Sequence, residues 1–478
     1  MSPTRRQYLA ALSGSALVSL AGCSDGGSTT VPRTTTTVTQ TTSVPTPPAT
    51  SMPGPVTTTR SVDVQAFRAD AQQFVRDIAS GDFQAAIDGH SYTDQVAAQL
   101  DVATLQSLWR TQTSGLGTFS GIGDTQDGTA QGYHVVVVTA TFTDGEQLVR
   151  LVYDGQGRIA GLQFPPQSGT WSPPDYVDPE SFTETELTLQ ATQSCSLGAT
   201  LTRPKSADRV PGVVLVQGSG PNDRDETIGP NKPFKDLAWG LATKRIAVLR
   251  YDKRTATCSV DPATLTIDEE VTDDALTAVE RLREHERISS VAVVGHSLGA
   301  MLAPRIAARD GDLAAIAMLA APARPLPTLV LQQIRYLAGL DGTVTDAEQR
   351  QIDRTRQAVK RIRALDIPQG ETVLGGGRPY WRTLQAYDQV ATAKALTLPR
   401  LFAQGGRDYQ VTPAEDFQAW RDALSGVSNV RFEQYARLNH LFMAGSGQPN
   451  PEEYYRKGHV SPAVVEDLAG WLKNEVEQ

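Results

Sequence analysis

The chain has 478 residues, with 44 Lys and Arg against 53 Asp and Glu, a net charge of -9 and 40% hydrophobic residues. That length holds more than one domain and a large buried core. The acidic balance, without a basic run or an aromatic–basic stripe, argues against a nucleic-acid partner.

The first 23 residues, MSPTRRQYLAALSGSALVSLAGC, have a basic start, a short apolar middle and a small-residue end before a cysteine. This is the pattern of an export signal, and its apolar run is too short to span a bilayer comfortably. Arg5 and Arg6 resemble a twin-arginine signal, and Leu20-Ala21-Gly22-Cys23 resembles a lipobox in which Cys23 takes the lipid. The alternative is an ordinary cleaved signal with an incidental cysteine. The expectation is an exported chain held on the extracellular face of the cell membrane by a lipid on Cys23. Residues 24–60 are rich in Thr, Ser, Pro and Gly and have too little apolar surface for a core, so they read as a disordered tether.

Residues 61–165 read as a small α+β domain. FRADAQQFVRDIASGDFQAAID places Phe67, Ala71, Phe74, Val75 and Ile78 at helical spacing. YHVVVVTATFTDG and EQLVRLVYDGQGRIAGLQF read as strands joined at Asp144-Gly145, with a second turn at Asp154-Gly155. His90 and His134 stand apart from other chemistry-bearing residues and read as exposed or structural. Residues 166–182 form a Pro-rich linker.

From residue 183 the pattern changes. ETELTLQA and CSLGATLTR read as two strands, followed by short apolar runs separated by helices: VVLVQG, RIAVLRYD, VAVVGHS, AAIAMLA, PRLFAQGG and VRFEQYA. Runs without alternation suit strands buried on both faces, hence a parallel sheet under helices. Val271, Ala275, Leu276, Val279 and Leu282 form one helical stripe. The segment at about 322–396 is mostly helical, with Thr345 and Glu348 in capping-box spacing, and sits in chain order where a cap would be inserted. Within it Tyr380, Trp381 and Tyr387 either line a pocket or pack in the core, with core packing the safer reading. Cys195 and Cys258 either form a disulfide or remain buried thiols. No CxxC or His/Cys cluster points to zinc.

Gly295-His296-Ser297-Leu298-Gly299 fits G-x-S-x-G, with a strand before it and a helix after it. The turn strains the serine backbone and crowds positions two residues away, which is why glycines stand there. The helix aims its first N–H groups at a developing oxyanion. The plainer reading is a glycine-rich turn with a capping serine; the context favours a nucleophile. Serine needs a base, and in this order of elements an acid and then a histidine come after it. His440, just past VRFEQYA, is favoured over His459, which has no strand leading into it. Asp408, after PRLFAQGG, is the acid that would hold the imidazole tautomer. Glu415 and Asp416 read instead as first-turn helix acids. The oxyanion site needs the N–H of Leu298 and one from the loop after VVLVQG, where Gly218 and Gly220 allow close approach and Ser219 is the candidate donor. An ordinary Gly-Pro turn is the other reading of that loop.

In order along residues 183–478, QGSGPNDRDETIGPNKPFKDLAWGLA, IAVLRYDKRT, GHSLGA, QGGRDYQVT and LNHLF resemble the α/β-hydrolase superfamily. Within it they are most similar to secreted or envelope esterases of the dienelactone-hydrolase-like branch. The resemblance implies an α/β fold, a mostly parallel sheet with a helical cap, and Ser297, Asp408 and His440 as nucleophile, acid and base, with no metal or organic cofactor. The sequence departs from the family pattern at Gln217, where histidine is usual, so the hydrogen bonds of the oxyanion loop must differ. Asp252, Lys253 and Arg254 resemble a loop that packs near the site in a structural role. Asp223, Arg224 and Asp225 organise the oxyanion loop or touch substrate. Residues 61–165, with VYDGQGRIAGLQF, resemble the small NTF2-like domains found ahead of some secreted hydrolases. The implied function is a serine carboxylesterase acting on a small or medium ester through an acyl-enzyme. A peptidase or acyl transferase with the same triad is a second reading. A non-catalytic surface binding lipoprotein is a third.

Overall fold

The computed structural model describes residues 64–476, apart from 98–99, 114–115, 131–132, 144, 165–170 and 206–207. The export signal, the lipobox cysteine, the tether and Asp144 of the expected hairpin therefore lie outside the described residues.

The N-terminal unit is a helix, Val64–Ser80, and shorter helices laid on a four-stranded antiparallel sheet. The long amphipathic stretch is not one helix. Gly81, at φ +86°, ends the first, and Asp82 caps a second, Phe83–Asp88, by accepting from the N–H of Ala85. The strands are β1 (Phe119–Ala130), β2 (Tyr133–Phe142), β3 (Gly145–Tyr153) and β4 (Ile159–Gln163). β1 corrects the helix-then-hairpin expectation. FSGIGDTQDGTA has weak strand propensity, and its pairing with β2 holds it in place. In β3 buried and half-buried residues alternate, as one covered face requires. Ala71, Phe74, Val75 and Ile78 meet Val136, Val138, Val149 and Leu151 to form this core.

The larger unit is an eight-stranded sheet. Its first four strands in chain order are β5 (Phe182–Thr192), β6 (Cys195–Pro204), β7 (Val210–Val216) and β8 (Ala247–Tyr251). The rest are β9 (Ile288–His296), β10 (Ala315–Leu319), β11 (Arg400–Gly405) and β12 (Val430–Tyr435). They lie in the order β12-β11-β10-β9-β7-β8-β6-β5. The pairings are parallel from β12 to β8, while β6 runs antiparallel to β8 and β5.

Every residue of β7, β8, β10 and β11 is buried, because helices cover both faces. β7 shows the division. Val214 and Val216 pack with helices Asp273–Arg283 and Leu298–Asp310, while Val213 and Leu215 pack with helices Pro233–Thr243 and Pro462–Val476. The outer strand β5 alternates Thr and Glu and is largely exposed, which blunts a free edge. Between β10 and β11 come four helices: Leu326–Gly339, Asp346–Arg363, Arg378–Gln385 and Gln389–Ala395. The second carries the Thr345–Glu348 capping box. Trp381 and Tyr387 are core residues: the indole donates to the carbonyls of Val373 and Gly376, and the phenol to that of Met301.

His90 is not isolated in three dimensions. Its ring is buried between two carboxylates of the first helix, with Nδ1 2.9 Å from Asp70 and Nε2 3.5 Å from Asp77. Burial opposes its charge, but the hydrogen bond and charge of Asp70, joined by Asp77, hold its pKa above the ordinary value. A raised histidine pKa gives stability that is full below the unfolded value of about 6.5 and fades as pH rises through the folded value. His90→Asn should therefore lower the unfolding temperature of this unit most near pH 6. Calorimetry of both proteins should show the gap narrowing towards alkaline pH; a gap independent of pH would refute the charged histidine.

Candidate active site

β9 ends in Gly295 and His296, and the helix Leu298–Asp310 begins immediately after Ser297. Ser297 is the turn. Its φ of 51° and ψ of -113° lie where a non-glycine residue is strained, and its side chain makes no capping hydrogen bond. The capping-serine reading is thereby removed. The flanking glycines are steric necessities. A Cβ on Gly295 would lie 2.3 Å from the carbonyl oxygen of Gly299, and one on Gly299 would lie 2.1 Å from that of Val216 at the end of β7.

The loop after β7 lies against this turn: a Cβ on Gly218 would sit 3.2 Å from the Cβ of Ser297. The Gly218 backbone is held from both sides. Its N–H donates to Glu226 Oε1 at 2.7 Å, and its carbonyl accepts from Lys253 Nζ at 2.9 Å and from the Asn222 amide at 3.1 Å. In a trans peptide the N–H points opposite to the C=O. The grip of Lys253 on the Gly218 carbonyl therefore aims the N–H of Ser219 away from Lys253, and that N–H has no hydrogen-bond partner among the described residues. The N–H of Leu298 opens a helix and has no intrahelical acceptor.

Asp408 follows β11 and His440 follows β12, and the sheet brings them together. Asp408 Oδ2 accepts from His440 Nδ1 at 2.7 Å, with both side chains buried. The same carboxylate accepts the N–H groups of Gln410 and Val411 through Oδ1 and the Gln404 amide through Oδ2. Four donors fix its orientation. The His440 ring lies beside that of His296, the residue before Ser297, with centroids 4.7 Å apart.

The competing residues have other partners. His459 Nδ1 bonds Asp236, which also holds the Trp171 indole and the N–H of Val460. Glu415 and Asp416 both bind Arg324. Arg224 lies across Asp252 and Glu186, Asp225 pairs with Lys232 and Arg250, and Asp223 accepts from Thr227. All three are committed to shaping the loop. Arg254 makes a buried two-point pair with Asp274. The Gln217 amide donates to the carbonyl of Tyr251, so the residue that replaces the usual histidine ties the oxyanion loop to β8. Cys195 and Cys258 form a disulfide, which joins the start of β6 to the end of the Lys253–Arg254 loop. Tyr380 approaches this region through Glu270: burial, with the charge and hydrogen bond of Glu270, pushes its phenol up, and Glu270 also binds Lys253.

Sequence reasoning missed Glu226. It read the neighbouring DRD as a loop organiser and stopped one residue short. The available signal was a further carboxylate in a glycine-rich loop that has to lie beside His296.

A profile described as Serine aminopeptidase, S33 matches residues 231–445, and one described as Protein of unknown function (DUF3887) matches residues 71–162. Among solved structures, Est1E from Butyrivibrio proteoclasticus is 16% identical with a TM-score of 0.41, covering 61% of this chain and 99% of its own. The Pyrococcus furiosus esterase PF2001 is 15% identical with a TM-score of 0.41, covering 65% and 97%. The chain is 42% identical over 411 residues to Esterase EstD of Thermotoga maritima, a match spanning 85% of this chain and 95% of that protein. By that identity, with its G-x-S-x-G turn on a mostly parallel sheet and an NTF2-like unit ahead of it, the chain belongs to the α/β-hydrolase esterase family.

Proposed function

We propose that this carboxylic ester hydrolase works through a serine acyl-enzyme. Ser297 Oγ attacks the ester carbonyl while His440 takes its proton. The N–H groups of Ser219 and Leu298 receive the oxyanion, His440 returns the proton to the leaving alcohol, and water then repeats the sequence on the acyl-enzyme. Asp408 holds Nδ1 of His440, leaving Nε2 for the serine, and stabilises the imidazolium. The observation that carries the reading is the strained Ser297 backbone, with a side chain that caps nothing, directly after His296, whose ring lies against a His440 fixed by a buried aspartate. Our reading of the substrate is a small or medium ester, with the first helix between β10 and β11 packed against Tyr409 and Leu441 beside the site. The serine aminopeptidase description of the matched profile supports a second reading, in which the same residues cleave an amide.

We place the enzyme on the extracellular face of the cell membrane. The twin-arginine pair and the lipobox at Cys23 support this, as does the Cys195–Cys258 disulfide, since such bonds persist in oxidising compartments.

Short-chain p-nitrophenyl esters should be hydrolysed by the wild type, with kcat falling at least about 10⁴-fold in Ser297→Ala and in His440→Ala. A phosphonate should label wild type and not Ser297→Ala. Undiminished turnover in Ser297→Ala would sink the mechanism, and faster cleavage of an aminoacyl p-nitroanilide than of any ester would favour the amidase. Expressed with its own N-terminus, the wild type should partition with membranes, and Cys23→Ser should shift it to the soluble exported fraction. An unchanged distribution would refute the lipid anchor.

A further inference from the structure

Beside the reacting groups lies a buried pair that has no role in the hydrolytic steps. His296 Nδ1 is 3.0 Å from Glu226 Oε1, and its Nε2 is 3.0 Å from the carbonyl oxygen of His440. A carboxylate and a carbonyl only accept, and a neutral imidazole offers a single N–H. Two acceptors facing two ring nitrogens call for an imidazolium. The one neutral alternative moves the proton between the two groups onto Oε1. The Gly218 N–H donates into that same oxygen at 2.7 Å, and an ionised carboxylate oxygen is the stronger acceptor. Carboxylic acids are also stronger than imidazolium by about two pKa units.

Electrostatics agree with this geometry. Burial works against a charged His296, but the charge and hydrogen bond of Glu226 outweigh it, with the His440 carbonyl and Asp408 adding to them, so the pKa of His296 is raised. Glu226 is itself held at φ 51°, a left-handed conformation that an ordinary residue keeps only where its surroundings impose it.

Resting on the serine-esterase reading, we propose that Glu226 and His296 are positioning residues: a buried carboxylate–imidazolium pair that ties the oxyanion loop, the nucleophile turn and the base-bearing loop into one unit. These three segments leave the sheet from β7, β9 and β12. The hydrogen bonds that run Gly218 N–H to Glu226, Glu226 to His296 and His296 to the His440 carbonyl pass through all three in sequence. All three involve at least one charged partner, and such bonds are shorter and about twice as strong as neutral ones. The pair touches no substrate atom in this scheme. It acts by fixing Gly218, and with it the N–H of Ser219, relative to Ser297 and His440.

The test uses the full chain. In ¹⁵N-histidine-labelled Ser297→Ala protein at neutral pH, the ring assigned to His296 by its loss in His296→Gln should show both nitrogens protonated. Glu226→Gln keeps an oxygen that can accept from both Gly218 and His296 Nδ1 but removes the negative charge, so its His296 should fall to one N–H. Its kcat, measured with Ser297 intact, should drop about tenfold with KM within about twofold, and Glu226→Ala should lose about 10²-fold in kcat, as small displacements of reacting groups do. A bare nitrogen on His296 in the protein with Glu226 intact would overturn the proposal. So would wild-type kcat in folded Glu226→Gln, which decides the matter if Glu226→Ala does not fold. The ring signals do not depend on turnover. A failure of the serine mechanism, seen as activity in Ser297→Ala, is therefore distinguishable from a failure of the pair.

Discussion

The helix that begins at Leu298 starts in contact with the end of β7: a side chain at Gly299 would meet the Val216 carbonyl at 2.1 Å. This close approach of a helix start to a neighbouring strand end sets the layout of the whole site. It forces Ser297 into a sharp, strained turn, and it brings the loop that continues β7 alongside that turn. In the proposed mechanism the attacking group and one N–H for the developing charge thus come from adjacent parallel strands. A parallel sheet with both faces buried makes this possible, because it sends all its connecting loops of one kind to the same end.

Holding a glycine-rich loop still has an electrostatic side. Gly218 contributes no side chain, so its backbone polar groups are the available handles, and both are gripped by ionisable side chains: Glu226 on the N–H, Lys253 on the carbonyl. Each of those is balanced in turn, Glu226 by His296 and Lys253 by Glu270. An unpaired buried charge is strongly destabilising, while a paired, fully hydrogen-bonded one is tolerated. The site therefore rests on ion pairs that would add little to stability elsewhere, and their worth here lies in direction.

Much of this was legible in the sequence. Unbroken apolar runs such as VVLV and VAVV signal strands covered on both faces, and the glycines about Ser297 signal a turn that admits no Cβ. The placement of a carboxylate after one strand and a histidine after the next pointed to Asp408 and His440, which meet at 2.7 Å. Strand β1 was illegible because Gly121, Gly123 and Gly128 give it no local preference; its shape comes from β2, a tertiary effect. Glu226 was illegible for a related reason. A carboxylate's partner depends on which loops the sheet brings together, and His296 lies seventy positions further along. Whether Cys195 and Cys258 pair was likewise a question of distance that spacing does not answer, and their Cα atoms lie 5.9 Å apart.

The insertion between β10 and β11 has a consequence for how such an enzyme diversifies. Ile334 and Leu337 of its first helix pack with Tyr409 and Leu441, the immediate neighbours of Asp408 and His440. Tyr336 and Tyr454 both stack on Tyr409. The inserted helices and the loops that carry Asp408 and His440 therefore share one apolar cluster. Those helices cannot be reshaped without effect on the neighbouring loops, since a smaller side chain at Ile334 opens a gap beside Tyr409 and Leu441, next to Asp408 and His440. Substitutions on faces of the insertion remote from that cluster, such as the polar side of Asp346–Arg363, leave that shared packing untouched.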